Sequence, residues 1–400
     1  MKESSFFTRK KQTIVNDILS KLAGQITNID GFDILLISST YPGLWMEHIY
    51  DSVFYAQMDQ TKLYLAENAI RMFIKNQKSD GQLPFAVIKD GSKTFIGYSQ
   101  IQECVSFGSL CLKAFEMNHN MDFLKTSFEA VKKWVAWLKK NRMTQNKGLI
   151  EMFCGYDTGH DHSARVLDLA FPGNYRINNV AQNAAILPPD DIAPVIAVDM
   201  NCNFYGNLKS LAVMAEILGI DSTGFHAEAK EVKEKLFEIC FDEDACFFFD
   251  VDRHGRKRRI LSSQILHLFM EGVLDQKDDA KLIEDLCRKY IFNENHFYTL
   301  YPFPAVSISD PTWKKHTPKN CWGYFTQSLL VLRTTLWMEK YGFTKEFQRI
   351  CAGFFDAWSN CYETLPLGQE LDPLTGEPSQ SSPWYSTCML MYLYISEKRL

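Results

Sequence analysis

Gly155-Tyr156-Asp157-Thr158-Gly159-His160-Asp161-His162-Ser163-Ala164-Arg165 is the stretch on which the reading of this chain turns. It gathers two carboxylates, two imidazoles and a guanidinium with almost no aliphatic content. It also opens a segment, reaching about Val198, without a sustained helical period. A structureless connection of that length inside a compact domain is either functional or disordered. Its aromatic, proline and aspartate content argues against disorder. The segment therefore reads as the floor of an active site, with Asp161 as the leading catalytic candidate.

On either side of it, helical periodicity dominates. The apolar spacing predicts helices at roughly 9–23, 47–58, 61–77, 99–118, 122–141, 199–219, 224–240, 262–271, 278–290, 323–341, 344–359 and 384–397. Asp221-Ser222-Thr223 stands ahead of the seventh, and Gly219 and Gly342 fall just past two helix ends. Tight turns at Met58–Thr61, Asn118–Asp122, Gly219–Gly224 and Tyr341–Thr344 join helices in pairs, and short turns of this kind make antiparallel hairpins. The other connections (78–98, 142–198, 241–261, 291–322 and 360–383) are long and carry Gly, Pro, Asp or aromatics. Short links alternating with long ones predict an all-α fold, an (α/α)6 barrel. The short links lie at one mouth and the long, chemistry-bearing loops at the other. A small β-hairpin is expected to turn at His254-Gly255. No linker divides the chain, so residues 1–400 are expected to form a single catalytic domain.

Composition narrows the function. A net charge of −5 leaves no electrostatic footprint for nucleic acid. The one basic run, Arg253 to Arg259, reads as a solvated hairpin tip. Eleven cysteines without a C-x-x-C pair fit neither a disulfide framework nor a zinc site. Reduced thiols point to a cytoplasmic protein. No apolar run reaches the length of a membrane span, and the polar, basic N-terminus is not followed by an apolar segment. Aromatics make up 14% of the chain and many stand beside acids, a pairing that suits sugar rings with apolar faces and hydroxyl edges.

Cleaving a glycosidic bond takes a carboxylic acid to protonate the leaving oxygen and a carboxylate to activate water or attack directly. Asp157 and Asp161 flank Gly159, with Ser163 and Arg165 close behind. Burial would hold a proton on Asp161, while a neighbouring Arg165 would release it. The second carboxylate is expected from Tyr362-Glu363-Thr364 or from the run Gly368-Gln369-Glu370-Leu371-Asp372-Pro373-Leu374-Thr375-Gly376-Glu377. Asp372 to Gly376 in that run is a turn by its chemistry. His160 and His162 form an H-x-H pair that could ligate a metal, but no third ligand cluster accompanies them. Neither a metal nor a cofactor is expected.

With these residues in place, the chain resembles glycoside hydrolase family 63 and its trehalase-like and mannosylglycerate-hydrolase-like relatives, which have an (α/α)6 catalytic barrel. The segments that carry the resemblance run from about Tyr41 to Tyr394. They include Tyr50-Asp51-Ser52-Val53-Phe54, Asp80-Gly81-Gln82-Leu83-Pro84, Ser99-Gln100-Ile101-Gln102, Lys147-Gly148-Leu149-Ile150, Gly159 to Arg165, Val198-Asp199-Met200-Asn201, Asp310-Pro311 and Asp372 to Glu377. The resemblance implies Asp161 as general acid. It implies as base a glutamate that follows an aromatic and precedes the Asp-Pro-x-Thr-Gly turn. Glu363 follows Tyr362 but lies far from Pro373, whereas Glu370 is nearer but lacks the aromatic; Glu363 is the favoured of the two. Asp51, Gln100, Asp157, Arg165, Asp199 and Asn201 are expected to contact or support the sugar, and Trp322, Trp384 and Tyr385 to wall the pocket.

Three departures separate the chain from its relatives. An arginine of an aromatic-Trp-Arg-Gly segment is missing at Asn320-Cys321-Trp322-Gly323, Tyr50 stands where tryptophan is usual, and Ala164 stands where proline is usual. The implied activity is inverting, exo-acting hydrolysis of an α-linked glucoside or mannoside, on a small oligosaccharide or glycosyl-glycerate type of substrate. Two other readings stand beside it. One is a sugar isomerase or epimerase on the same barrel, working through His160, His162, His254 or His316. The other is a non-catalytic carbohydrate-binding member.

Overall fold

Helices that are apolar on every face alternate along the chain with helices that are apolar on one. A computed structural model describes residues 2–169, 192–314, 322–379 and 382–398. Its helices are α1 (Lys2–Gln25), α2 (Ile49–Met58), α3 (Leu63–Lys75), α4 (Phe107–Asn118), α5 (Met121–Arg142), α6 (Val198–Leu218), α7 (Thr223–Cys240), α8 (His267–Met270), α9 (Ala280–Leu286), α10 (Ser328–Arg333), α11 (Thr344–Asn360) and α12 (Ser386–Lys398). Every residue of α10 is buried, as is α2 from Ile49 through Ala56. By contrast α11 buries a stripe of Phe347, Ile350, Cys351, Phe354, Phe355 and Trp358, the spacing of one helical face. The even-numbered helices form the inner layer: α2 packs on α4, α4 on α6, α6 on α8, α10 on α12, and α12 returns to α2. Outer α3, α5 and α7 each pack on the helix before them, while α1 and α11 pack on α12. This is the (α/α)6 barrel expected from the link lengths, and the N-termini of its inner helices ring one mouth.

The helices end where their capping chemistry says they should. Asn120 Oδ1 accepts from the backbone N–H of Asp122 and of Phe123, both at 3.0 Å, and starts α5. Gly219, at φ 71°, closes α6 in the left-handed conformation.

Short antiparallel strands lace the loops at the mouth. β1 (Ile26–Ile29) and β2 (Phe32–Leu35) turn on Asp30-Gly31, both with positive φ, as a two-residue hairpin turn requires. β3 (Gly43–Trp45), β4 (Ala86–Asp90) and β5 (Lys93–Gly97) form one sheet. β6 (Glu151–Met152) pairs with β7 (Val195–Ile196), and β8 (Phe241–Asp242) with β9 (Phe247–Phe248). β10 (Thr326–Gln327) pairs with β11 (Glu370–Leu371), which brings the 360–383 loop onto the start of α10. The turn at His254-Gly255 is present, closed by Val251 opposite Lys257 and by the Asp252 carboxylate, which accepts from the N–H of His254 and Arg256.

Several elements are shorter than their periodicity predicts. The expected helix over 99–118 begins only at Phe107, because Gln100, Gln102, Glu103 and Cys104 are drawn inward as buried polar groups. Glu103 Oε1 then accepts from the Phe107 N–H at 2.6 Å. The expected helix over 323–341 is α10 plus a 3-10 turn at Thr334–Leu336, since Thr326-Gln327 is taken by strand pairing. The helix over 262–271 splits into a 3-10 turn at Ser263–Leu266 and α8. Among the described residues no helix is long and apolar enough to cross a membrane.

Candidate active site

The loop Gly155–Arg165 lies against the entry to α2, and a glycine makes that contact possible. Gly159 has φ 76°, and a Cβ there would stand 2.7 Å from Glu47 Oε2 and 2.9 Å from Cys104 Sγ. Two residues on, Asp161 retains some surface, yet its Oδ1 is fully buried and has no hydrogen-bond partner among the described residues. Burial, reinforced by the nearby Glu47 charge, holds the Asp161 carboxyl well above the ordinary aspartate range. Glu47 is itself pushed up to about 7, chiefly by burial, with the Arg333 guanidinium opposing.

Arg165, whose proximity would draw the proton off Asp161, points elsewhere. The Arg165 guanidinium forks onto two other carboxylates, with Nη2 at 2.6 Å from Asp199 Oδ1 and 2.9 Å from Asp250 Oδ1. Burial works against the charge of Asp199, but Arg165 outweighs it and holds the carboxyl far below its usual value. Arg165 and Asp199 thus saturate each other, and with Asp250 they lock the Gly155–Arg165 loop to the first turn of α6 and to the segment just past β9. Neither is left to grip a sugar.

His160 lies on the other side of this clamp. Its ring stands 4.1 Å from that of Trp322, centroid to centroid. Burial first, then the Arg165, His267 and Arg333 charges, keep it neutral against the opposing pull of Asp199.

The backbone N–H of the same Trp322 stabilises the Glu370 carboxylate. Glu370 Oε1 accepts from Gln327 Nε2 at 2.6 Å and its Oε2 from Ser379 Oγ at 2.8 Å. Burial raises Glu370 to about 7 in spite of these donors. Trp322 therefore bridges the two halves of the mouth, with its ring on the residue before Asp161 and its amide on Glu370. His162, Trp322, Trp384 and Gln102 all adopt positive φ, backbone strain of the kind that gathers at functional sites.

Glu363, the favoured base on sequence, is solvent-exposed just past the end of α11, and its aromatic neighbour Tyr362 bonds instead to Asp17 of α1. The aromatic-then-glutamate spacing is satisfied there by packing on the outer layer. Asp157 is wholly buried against Arg142, at 2.6 Å, and takes the Phe153 N–H, so it braces the turn. Asn201 holds both the N–H and the C=O of Ile150, tying the loop to α6. Trp384 packs edge-on against Tyr362 and under Lys21, on the outer side of α12. Tyr385 does face inward, its hydroxyl 2.6 Å from His48 Nε2. Asp51, in the first turn of α2, receives Ser386 and Thr387 on Oδ2 while its buried Oδ1 has no partner among the described residues; burial raises it to about 6. Gln100 is buried beside Gln102, whose Nε2 it accepts. His254 is on the exposed hairpin tip, and His316 lies outside the described residues.

Glu47, His267 and Arg333 belong to this cluster, and periodicity alone passes over all three. Glu47 falls four residues before Asp51, a spacing that puts two acids on one face. Arg333 ends the apolar run Leu329-Leu330-Val331-Leu332, where a charged residue is unexpected unless it is used. His160, Asp199 and His267 each place one ligand atom within 4.8 Å of the others. Asp199, however, is occupied by Arg165, whose Nη1 also stands 3.4 Å from His160 Nδ1, so the charge of this trio is already compensated from within.

The profile of the mannosylglycerate hydrolase MGH1-like glycoside hydrolase domain matches residues 50–384. The chain belongs to this family. As a member it is a glycoside hydrolase of the mannosylglycerate hydrolase type. No curated protein sequence matches it. Among solved structures it is similar to the family 63 mannosylglycerate hydrolase from Thermus thermophilus in complex with Tris and D-glycerate. That likeness has 16% identity and a TM-score of 0.75, over 96% of this chain and 100% of that one. It is also similar to the neutral trehalase from Saccharomyces cerevisiae, at 14% identity and TM-score 0.69, over 92% of this chain and 74% of that one. At such identities the likeness speaks for the barrel, and the family member's own residues must carry the argument about its chemistry.

Proposed function

We propose that this enzyme hydrolyses an α-linked glycoside from its non-reducing end with inversion, Asp161 acting as general acid and Glu370 as general base. One observation supports this most: Asp161 Oδ1 is buried without a hydrogen-bond partner among the described residues and burial holds its carboxyl well above the ordinary range, while Glu370 is the buried glutamate of the 363–377 segment and is tied through Trp322 to the same loop. Asp161 donates its proton to the departing glycosidic oxygen. Glu370 draws a proton from a water on the far face of the ring, an arrangement that needs carboxyls roughly 6.5–9.5 Å apart. Asp51 Oδ1 is an unpaired buried acceptor at the side of the site, suited to a sugar hydroxyl. The substrate is a small glucoside or mannoside, of oligosaccharide or glycosyl-glycerate type.

Incubating the protein with a panel of such glycosides tests the reading. Sugar release is expected, lost in Asp161→Asn and in Glu370→Gln but retained in Glu363→Gln. Release unaffected by Glu370→Gln would refute the assignment of the base.

A further inference from the structure

The site holds a buried cation that makes no ion pair with a carboxylate among the described residues. Arg333 is 1% exposed, and its Nε and Nη1 are buried without a hydrogen-bond partner among the described residues. Only Nη2 is engaged, donating at 3.0 Å to the backbone oxygen of Glu47. A buried guanidinium usually forks onto carboxylates, as Arg165 does onto Asp199 and Asp250, because a buried unpaired charge is costly.

The charge of Arg333 is felt across the site, at Glu47, His48, Asp51, Cys104, His160 and His267. These groups come from α2 and its entry, the loop before α4, the catalytic loop and α8. Arg333 therefore lies near the barrel axis. Asp51 and Glu47 are the carboxylates in this set; burial raises them to about 6 and about 7, and neither forms an ion pair with Arg333.

Depth fixes which part of a ligand Arg333 can meet. α10 begins at Ser328, next to Gln327 and hence next to Glu370. Five residues further on, the Arg333 backbone lies about 7.5 Å below the mouth at 1.5 Å of rise per residue. Helical side chains lean back toward the N-terminus, so the guanidinium points up into the site from beneath. In an exo-acting cup the non-reducing sugar goes deepest and the aglycone stays toward the mouth.

We propose that Arg333 receives a carboxylate carried on the non-reducing sugar itself, so that the substrate is the glycoside of a hexuronic acid. The inference rests on the hydrolase reading above for the reaction and departs from it in the sugar: in place of a neutral glucoside or mannoside, the ring is the C6-oxidised counterpart of that hexose. Arg333 makes charge-assisted hydrogen bonds to the C6 carboxylate. A neutral C6 hydroxymethyl group leaves the guanidinium buried and unpaired, which is how the site discriminates against hexosides.

Calorimetric titration of the full-length protein with free hexuronic acids and with the corresponding hexoses tests this without relying on turnover. At least one hexuronate is expected to bind about 100-fold more tightly than its parent hexose, the size of effect seen when a buried charge pair loses one partner. Arg333→Met should erase the difference and Arg333→Lys should restore part of it. Comparing a hexuronate with its methyl ester on the unaltered protein gives the same answer if Arg333→Met fails to fold, the ester being expected to bind as weakly as the hexose. Equal binding of acid and ester would overturn the proposal. So would tighter binding of a hexose 6-phosphate than of any hexuronate, or an Arg333 dependence seen only with neutral hexosides that bear an acidic aglycone. Hexuronate binding that depends on Arg333 without hydrolysis of any hexuronoside would uphold this inference and defeat the hydrolase reading. Hydrolysis of neutral hexosides unaffected by Arg333→Met would do the reverse.

Discussion

Asp161→Asn removes the proton that the departing oxygen requires while keeping the side chain's shape, so kcat is expected to fall by about 10²–10⁴ with the melting temperature nearly unchanged. The pH profile separates the two acids. Glu370 must be ionised to act as base, and burial puts its midpoint at about 7, so activity rises as pH passes through that value. Asp161 must stay protonated, and its carboxyl is held well above the ordinary range, so activity falls again only at higher pH. Measured as kcat/KM against pH, Glu370→Asp should shift the acidic limb and leave the alkaline one in place. Asp161 stands out as a candidate in the sequence because its loop concentrates polar groups and has no helical period. The choice between Glu363 and Glu370 was not legible there, since Glu363 has the aromatic before it and Glu370 the proximity to the Asp-Pro-x-Thr-Gly turn. What separates them is strand register: Gln327 opposite Glu370 pulls that glutamate inward, while Tyr362 bonds to Asp17 and leaves Glu363 outside.

Among the elements, the catalytic loop depends on one close approach. In Gly159→Ala the new Cβ meets Glu47 Oε2 at 2.7 Å in a backbone conformation at φ 76° that L side chains rarely adopt. Thermal melts should show roughly 1–3 kcal/mol of lost stability, and kcat should drop because Asp161 moves with the loop. Asn120→Ala is a contrasting case. It removes the cap of α5 far from the site and is expected to cost about 1 kcal/mol without changing kcat/KM. Helix existence was legible from periodicity in most places, and helix starts at the mouth were not. Residues 99–106 and 323–327 carry enough apolar side chains to extend a helical pattern. Buried polar contacts at Glu103 and strand pairing at Thr326-Gln327 override it. These are long-range effects that a local window cannot contain.

At the scale of the whole molecule, the ring of inner helices encloses carboxylates whose proton affinity burial raises. Glu47, Glu103, Glu271 and Glu370 are each raised to about 7, with burial as the leading cause in every case. A raised carboxyl contributes stability that is fully present below its unfolded value of 4.5 and is lost as pH climbs toward 7. Glu271 accepts from the N–H and hydroxyl of Ser106, at 2.8 and 2.7 Å, and lies outside the catalytic cluster. In Glu271→Gln the decline in melting temperature between pH 5 and pH 8 should be shallower than in the unaltered protein. An equal slope would contradict the burial argument. The link pattern of short and long connections made the barrel legible. The depth of Arg333 was not, because a lone arginine at the end of an apolar run acquires its meaning only when the other inner helices close around it.

The central claim is that Asp161 and Glu370 face one sugar from opposite sides with water between, and the configuration of the first product tests it most directly. Proton NMR recorded in the opening minutes of hydrolysis of an α-glycoside, before mutarotation, is expected to show the β-anomer of the released sugar. Initial release of the α-anomer would mean retention, with a nucleophile in contact with the ring, and would contradict the account.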